Sequence, residues 1–439
     1  MNKRSITKFS TSILALATCI SVVACQNQTT PTSDAPATDS TAPATDSSSD
    51  GGELKMGVLL PATGDLSAIG APMVNGIDLL VETVNSCGGV LDQPINLIKE
   101  DTRTQPSAGA EAMTKLAQVD QVGAVVGAFG SSISTAAIAV AAPAEVLMIS
   151  PGSTSPVFTE RAQNGDFNGY WYRTAPPDTY QAAALAKLAY EQGHRRVATL
   201  VINNDYGVGF EQVFVESFKA LGGEIINENN PTRYDPQATT FEAEARGAFG
   251  DAPDAVAAVL YPETGAPLLK AAYEQGLLDD VQVLLTDGVQ TEDFIAATGQ
   301  TPDGQMILAG ALGTVPGADG DSLAEFSATF KEKKQQNVGA FVAHSYDAAA
   351  LVALAAQAAN SGSGPAIKAK IREVANAPGE EVSDVCAALE MLKAGTEINY
   401  QGASGNVDLD EYGDVKGSYD VWSVTSEGKI EVIDKVSVD

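Results

Sequence analysis

An α/β fold with two lobes, each a doubly wound parallel sheet flanked by helices, is the class this sequence predicts. Three observations predict it. The chain has 439 residues, too long for one small module at roughly 100 to 200 residues per domain. Its composition is 44% hydrophobic and 19% charged, enough for a sizeable core. Short apolar runs alternate with helical periodicity in two successive series, the pattern of parallel strands with helices on both faces.

The first series opens with KMGVLL (55–60), followed by Met73, Val74, Ile77, Leu80, Val81 and Val84 on one helical face. Strands are expected at 95–98, 122–127 and 146–150, with helices near 106–119 and 133–142. The second series starts after Arg173-Thr174. Its helices are expected near 178–191, 208–221, 239–248 and 265–275, and its strands at 196–202, 223–227, 255–261 and 281–286. From 322 to 394 the chain reads as mainly helical, and these late helices would cover an existing sheet. Strand-like YDVWSV (419–424) and KIEVI (429–433) close the chain.

Ahead of this body, residues 1–24 read as an export signal. Lys3, Arg4 and Lys8 precede an apolar stretch from Ile13 to Ala24, too short to span a bilayer but suited to a signal peptide. Val22-Val23-Ala24-Cys25 resembles the lipobox of bacterial lipoproteins, which implies a lipid on Cys25. Residues 25–53 follow as a linker rich in Ser, Thr, Ala, Pro and Asp, with APATDS repeated at 35–40 and 42–47. Such a tract has little to bury and tethers the body with a reach of about 30 Å. The expected location is a bacterial membrane surface, facing the periplasm or the extracellular side. With Cys19 in the signal and Cys25 lipidated, Cys87 and Cys386 remain as a disulfide or as two separate thiols.

Charge and motif content narrow the function. The net charge is −30, which repels nucleic-acid backbones and anionic lipid headgroups. His194 and His344 are the only histidines, and neither sits in a metal or nucleophile-base motif. GxSxG, P-loop, HExxH and complete GxGxxG motifs are absent. Asp408, Asp410 and Gly413 imitate a calcium loop, but Tyr419 occupies the closing acid's place. Neither catalysis nor a cofactor is expected.

GAVVGAFGSSISTAAIAVA (123–141), VLMISPGSTSPVFT (146–159), YWYRTAPPD (170–178), NNDYGVGF (203–210), LLTDGV (284–289) and GNVDLDEYGDVKGSYDVWSV (405–424) resemble the branched-chain amino acid binding proteins of ABC importers. The match runs in order over nearly the whole chain after residue 54. The resemblance implies a type I periplasmic-binding fold, two Rossmann-like lobes joined by three crossovers, and a monomer that delivers a small ligand to membrane permease subunits. The crossovers are expected near 172–175, 309–313 and 402–405. This gives 54–173 and 311–403 to lobe I, and 174–310 and 404–439 to lobe II.

In open α/β sheets, ligands bind beyond the carboxyl ends of the strands. Ser131 and Ser132 open the helix after strand 122–127, where hydroxyls and free N–H groups converge on an anion. A Ser there is also an ordinary N-cap. The resemblance assigns the ligand carboxylate to Ser131. In the loop 151–155, Ser153 and Thr154 line the same rim, and Thr154 matches a family hydroxyl that holds an α-amine, although PGSTSP is also plain turn chemistry. Asp287 matches a family acid, commonly Glu, that pairs with the ammonium. Tyr206 matches a cleft aromatic and Ile69 a side-chain wall; the family register slips at Tyr261, which is a candidate contact by its place at the end of strand 255–261. The reading is therefore a receptor for a neutral or branched-chain amino acid. A receptor for an amide or urea, and a ligand-sensing module for a membrane receptor, remain as alternatives.

Overall fold

The computed structural model describes residues 52–437. The signal peptide, most of the linker and Cys25 lie outside the described residues.

Lobe I begins with β1 (Lys55–Leu60), α1 (Ser67–Ser86), β2 (Asn96–Asp101) and α2 (Pro106–Lys115), which continues into a π-helical turn. It goes on through β3 (Ala124–Gly127), α3 (Ser131–Ala141), β4 (Leu147–Ser150), α4 (Val157–Gln163) and β5 (Trp171–Arg173). The five strands form one parallel sheet in the order β2-β1-β3-β4-β5. Helix α1 buries Ile69, Met73, Ile77, Leu80 and Val84 at helical spacing, which seats one stripe on the core.

Lobe II contains α5 (Asp178–Glu191), β6 (Arg196–Ile202), α6 (Asp205–Ala220), β7 (Glu224–Ile225), β8 (Thr232–Tyr234), α7 (Glu242–Phe249) and β9 (Ala255–Val259). It then adds α8 (Pro262–Glu274), β10 (Gln282–Leu285), α9 (Glu292–Thr298) and β11 (Leu312–Pro316). The chain returns to lobe I with α10 (Leu323–Lys334), α11 (Val342–Ala359), α12 (Gly364–Ala375), β12 (Glu380–Val382), α13 (Val385–Lys393) and β13 (Ile398–Tyr400). Helix α11 packs on α1, α12 and the strands β3 and β4, so the late helices cover the first sheet. Finally β14 (Ser418–Val424) and β15 (Ile430–Ser437) pair antiparallel onto β11, completing an eight-stranded second sheet.

Two boundaries differ from the sequence reading. Residues 312–316 are a strand of the second sheet, parallel to β10 and antiparallel to β14, so the second crossover follows Pro316 rather than falling at 309–313. The third crossover is longer than 402–405, because the chain first runs along lobe I, where Arg173 N–H donates to Gly413 O (2.9 Å). The expected strand at 223–227 is cut to Glu224–Ile225. Asn227 turns its amide back on Thr199, accepting from its N–H (3.0 Å) and donating to its C=O (2.8 Å), which replaces the strand ladder.

The crossovers are held by buried polar groups. Arg173, fully buried, donates to Asp414 Oδ1 (2.6 Å), to the carbonyls of Ser153 and Ser155 (3.1 and 3.0 Å) and to Thr159 Oγ1 (2.8 Å). Asp347, also buried, accepts from the N–H groups of Ala403 (3.0 Å) and Ser404 (2.7 Å) and from Tyr400 Oη (3.3 Å). A Cβ on Gly402 would lie 2.3 Å from the Asp347 carboxylate, so only glycine lets the third crossover pass there. Cys87, at the end of α1, is disulfide-bonded to Cys386 in α13 with a Cα–Cα distance of 5.9 Å, joining two parts of lobe I that lie 299 residues apart in sequence.

Removing one partner of a buried ion pair leaves an uncompensated charge. Asp414→Ala, which strands Arg173, is expected to destabilise the fold by about 3 to 5 kcal/mol, measured by urea unfolding. Asp414→Asn keeps an acceptor and is expected to cost less.

Candidate ligand-binding cleft

Loops that follow strands of both sheets meet around one small cavity. Lobe I contributes Leu66 after β1, Phe129 to Ser131 after β3, and Gly152 after β4. Lobe II contributes Tyr206 after β6, Tyr261 after β9, and Asp287 with Gly288 after β10. Every contribution lies past the carboxyl end of a parallel strand, where α/β sheets place ligands. The lobes are drawn together until about 10 Å³ remains between these walls. An amino-acid-sized ligand is accommodated only as the lobes part.

The lobe I wall offers donors. Gly130, at φ 95°, is the N-cap of α3 and supplies no side-chain acceptor to its first turn. That conformation suits glycine and leaves the positive end of α3 turned to the cavity. Ser131 Oγ accepts from Ser155 N–H (3.2 Å). A serine hydroxyl has one proton and two lone pairs, so with one lone pair engaged the Ser131 proton is free to donate. Helix end and hydroxyl together suit a carboxylate.

The other groups accept. Asp287 is buried, and its Oδ1 takes protons from Gln181 Nε2 (2.7 Å) and Tyr206 Oη (3.0 Å). Its own backbone N–H also bonds to the carboxyl, and among the described residues no lysine or arginine forms a salt bridge with it. Burial pushes the Asp287 carboxyl up to about 6, with the bonds from Gln181 and Tyr206 pulling the other way. Behind the loop 151–155, Thr154 Oγ1 donates to Asp178 Oδ2 (3.0 Å), and Asp178 N–H donates to Thr154 O (2.8 Å). Donating to Asp178 Oδ2 commits the single Thr154 proton and leaves the hydroxyl's lone pairs as acceptors. Burial, and next the charge of Asp287, raise Asp178 well above the usual carboxylate range. Asp178 Oδ1 and Gln181 Oε1 are buried without a hydrogen-bond partner. Two adjacent buried acids with unmet acceptors favour a cationic donor.

The remaining candidates divide. Tyr261 lines the cavity with its ring stacked on Tyr206, centroids 6.0 Å apart. The Ser153 hydroxyl turns inward, sharing a bond with Ser134 Oγ (2.8 Å) and donating to Ala128 O (3.2 Å). Ser132 Oγ reaches across the cleft and accepts from Asp205 N–H (2.9 Å). Ile69 lies on the core face of α1 and does not line this cavity; Leu66 and Phe129 form the apolar wall. Sequence reasoning passed over Asp178, Gln181, Asp65 and Asp205. Asp178 and Asp205 stand inside motifs read for other residues, and Asp65 follows β1 on the same rim as Ser131.

Residues 74–427 match the family model described as the receptor family ligand binding region. The chain belongs to that family. The chemotactic signal transduction system substrate-binding protein BasB of Halobacterium salinarum is 27% identical over 82% of this chain and 84% of its own. Leu/Ile/Val-binding protein homolog 1 of Brucella abortus is 27% identical over 70% of this chain and 79% of its own. Among solved structures, the leucine binding protein LivK of Thermotoga maritima superposes with a TM-score of 0.73 at 26% identity, covering 88% of this chain and 99% of its own. The fold is that of type I periplasmic-binding proteins, and the chain is a substrate-binding protein of this kind. Among the described residues, no helix is long and apolar enough to cross a membrane.

The raised carboxyl of Asp287 gives a pH test whose sign differs for stability and for binding. A folded-state value above the unfolded one stabilises the free protein at low pH, and that contribution is lost as pH rises through about 6. A cationic ligand needs the ionised acid, so its affinity moves the other way. Affinity is expected to be flat from pH 8 to 7 and to fall below about 6, reaching roughly tenfold weaker at pH 5. Calorimetric titration across this range checks it, and Asp287→Asn should abolish the slope.

Proposed function

We propose that the cleft captures a neutral L-amino acid, of the branched-chain kind, as its zwitterion, and that the protein does so outside the cytoplasm for hand-over to an ABC permease. The observation that carries this reading is the division of free protons and free lone pairs. A spare Ser131 proton and the positive end of α3 form one wall, and the buried Asp287 carboxylate, without a basic partner, forms the other. Thr154, held by Asp178, stands with the acceptors. A ligand complementary to both ends carries a carboxylate and an ammonium. Tyr206 and Tyr261 flank it, and Leu66 and Phe129 receive its side chain, while Ser153, whose hydroxyl and backbone groups are bonded within lobe I, shapes the loop. The similarity to leucine-binding and Leu/Ile/Val-binding relatives supports the class.

The sequence supports the location. The export signal and Cys25 imply a lipid-anchored monomer held by its linker at a membrane surface. A sensing role, passing occupancy to a membrane receptor, is favoured by one relative's place in a chemotactic system.

A thermal-shift screen of the purified body against neutral L-amino acids, small amides and urea tests the assignment. One or more amino acids should raise the melting temperature, with about 4 kcal/mol of stabilisation at 1,000 times the dissociation constant. Asp287→Ala should weaken that ligand a hundredfold or more, because a desolvated ammonium loses its counter-charge. A shift with amides or urea and none with amino acids would overturn the reading.

A further inference from the structure

We propose that Asp65 sets the affinity of the cleft without touching the ligand, by capping a lobe II helix across the cleft when the lobes close. This rests on reading the cleft as one that closes on its ligand. Helix α8 begins behind Tyr261, a residue whose side chain makes no capping bond. The missing cap comes from the other lobe. Asp65 Oδ1 accepts the N–H of Glu263, and its Oδ2 lies 3.1 Å from Thr264 Oγ1. Both donors belong to the first turn of α8, where N–H groups have no intrahelical acceptor and a carboxylate is favoured by the helix dipole. In the parted form these donors return to solvent, so the bond is made only on closure.

The side chain that makes it is presented rigidly. Asp101, at the end of β2, accepts from Ala62 N–H (2.9 Å), Thr63 N–H (3.2 Å) and Arg103 N–H (2.8 Å), pinning the loop that carries Asp65. Leu66 N–H is held by Thr104 Oγ1 (3.0 Å). Gly64, at φ 85°, lets this loop pass so close to Arg103 that a Cβ would lie 2.4 Å from its carbonyl oxygen. Asp65 thus borders a cavity of about 320 Å³ at the cleft mouth and stands outside the inner walls formed by Ser131, Tyr206 and Asp287. A second clasp works beside it on α6, which has its own cap in Asn204. Lobe I hydroxyls of Thr135 and Ser155 donate to Asp205 Oδ2 (2.7 Å) and O (2.8 Å). Helix α6 is therefore capped in both forms, and α8 only in the closed one.

The test reads closure directly in ligand-free protein. Val119 in lobe I and Leu221 in lobe II, both exposed, are replaced by Cys and spin-labelled, and the interlobe distance is measured by double electron–electron resonance. The closed-distance population of the labelled parent should fall about fivefold in Asp65→Ala, the ordinary effect of removing an N-cap. Asp65→Asn, which keeps an acceptor for Glu263 N–H, should retain most of it. The ligand-free melting temperature of both variants should match the parent, since the cap is absent from the open form. With any amino acid that binds, Asp65→Ala should speed dissociation about fivefold and leave association unchanged. An unchanged closed population in Asp65→Ala, a parent with no closed population, or a lowered ligand-free melting temperature would each overturn the proposal. Because the distances are read without ligand, failure of every amino acid to bind would sink the functional reading and leave this result standing.

Discussion

Asp287 is buried in the cleft wall with no lysine or arginine to balance it among the described residues, and the rest of the site follows from that uncompensated charge. Gln181 and Tyr206 supply two neutral donors to one oxygen, which is insufficient to return the carboxyl to its ordinary range; burial still holds it at about 6. A protein with 56 acidic and 26 basic residues has no general supply of cations to lend. On the proposed reading, the remaining stabilisation comes from a ligand ammonium. The same imbalance extends to Asp178, raised first by burial and then by Asp287. Arg173 pulls Asp178 the other way, whereas no cation does so for Asp287 among the described residues.

Such a device works only if its walls do not yield. The loop carrying Thr154 hangs from Arg173, which holds the carbonyls on either side of it and is itself fixed by Asp414. Arg173 ends β5 at the first crossover, while Asp414 lies on the third. Hinge and ligand loop therefore share one buried cation. Asp347 performs a similar task at Ala403 and Ser404. These hydrogen bonds hold the loop and the crossovers together as one buried network.

Much of the scaffold was legible in the sequence because buried parallel strands read as continuous apolar runs. Lys55–Leu60 and Arg196–Ile202 appear as strands with the limits the sequence suggests, as does the helix Asp178–Glu191. The rule that ligands sit past strand carboxyl ends pointed to Ser131, the family resemblance pointed to Tyr206 and Asp287, and Tyr261 was noted at a strand end; the fold brings these four to one cavity. Local pattern failed where the deciding contact is distant. Leu312–Pro316 is a strand because β14, a hundred residues on, pairs with it, and Trp422 packs over Gly313. Ile69 has the composition of a wall residue, but its helical phase turns it to the core. The Ser153 hydroxyl is claimed by Ser134 and Ala128, a competition no spacing reveals. Asp65 and Asp205 gain their meaning only where the two lobes meet.

The account turns on both ends of the ligand being required. Calorimetric titration of the best-binding amino acid, its deaminated acid and its decarboxylated amine, all on the unmodified protein, tests that most directly. Each truncated analogue is predicted to bind at least a hundredfold more weakly than the parent, since each leaves one wall of the cleft with an unmet charge or donor. A deaminated acid binding within tenfold of the amino acid would contradict the account, because Asp287 would then be facing no ammonium at all.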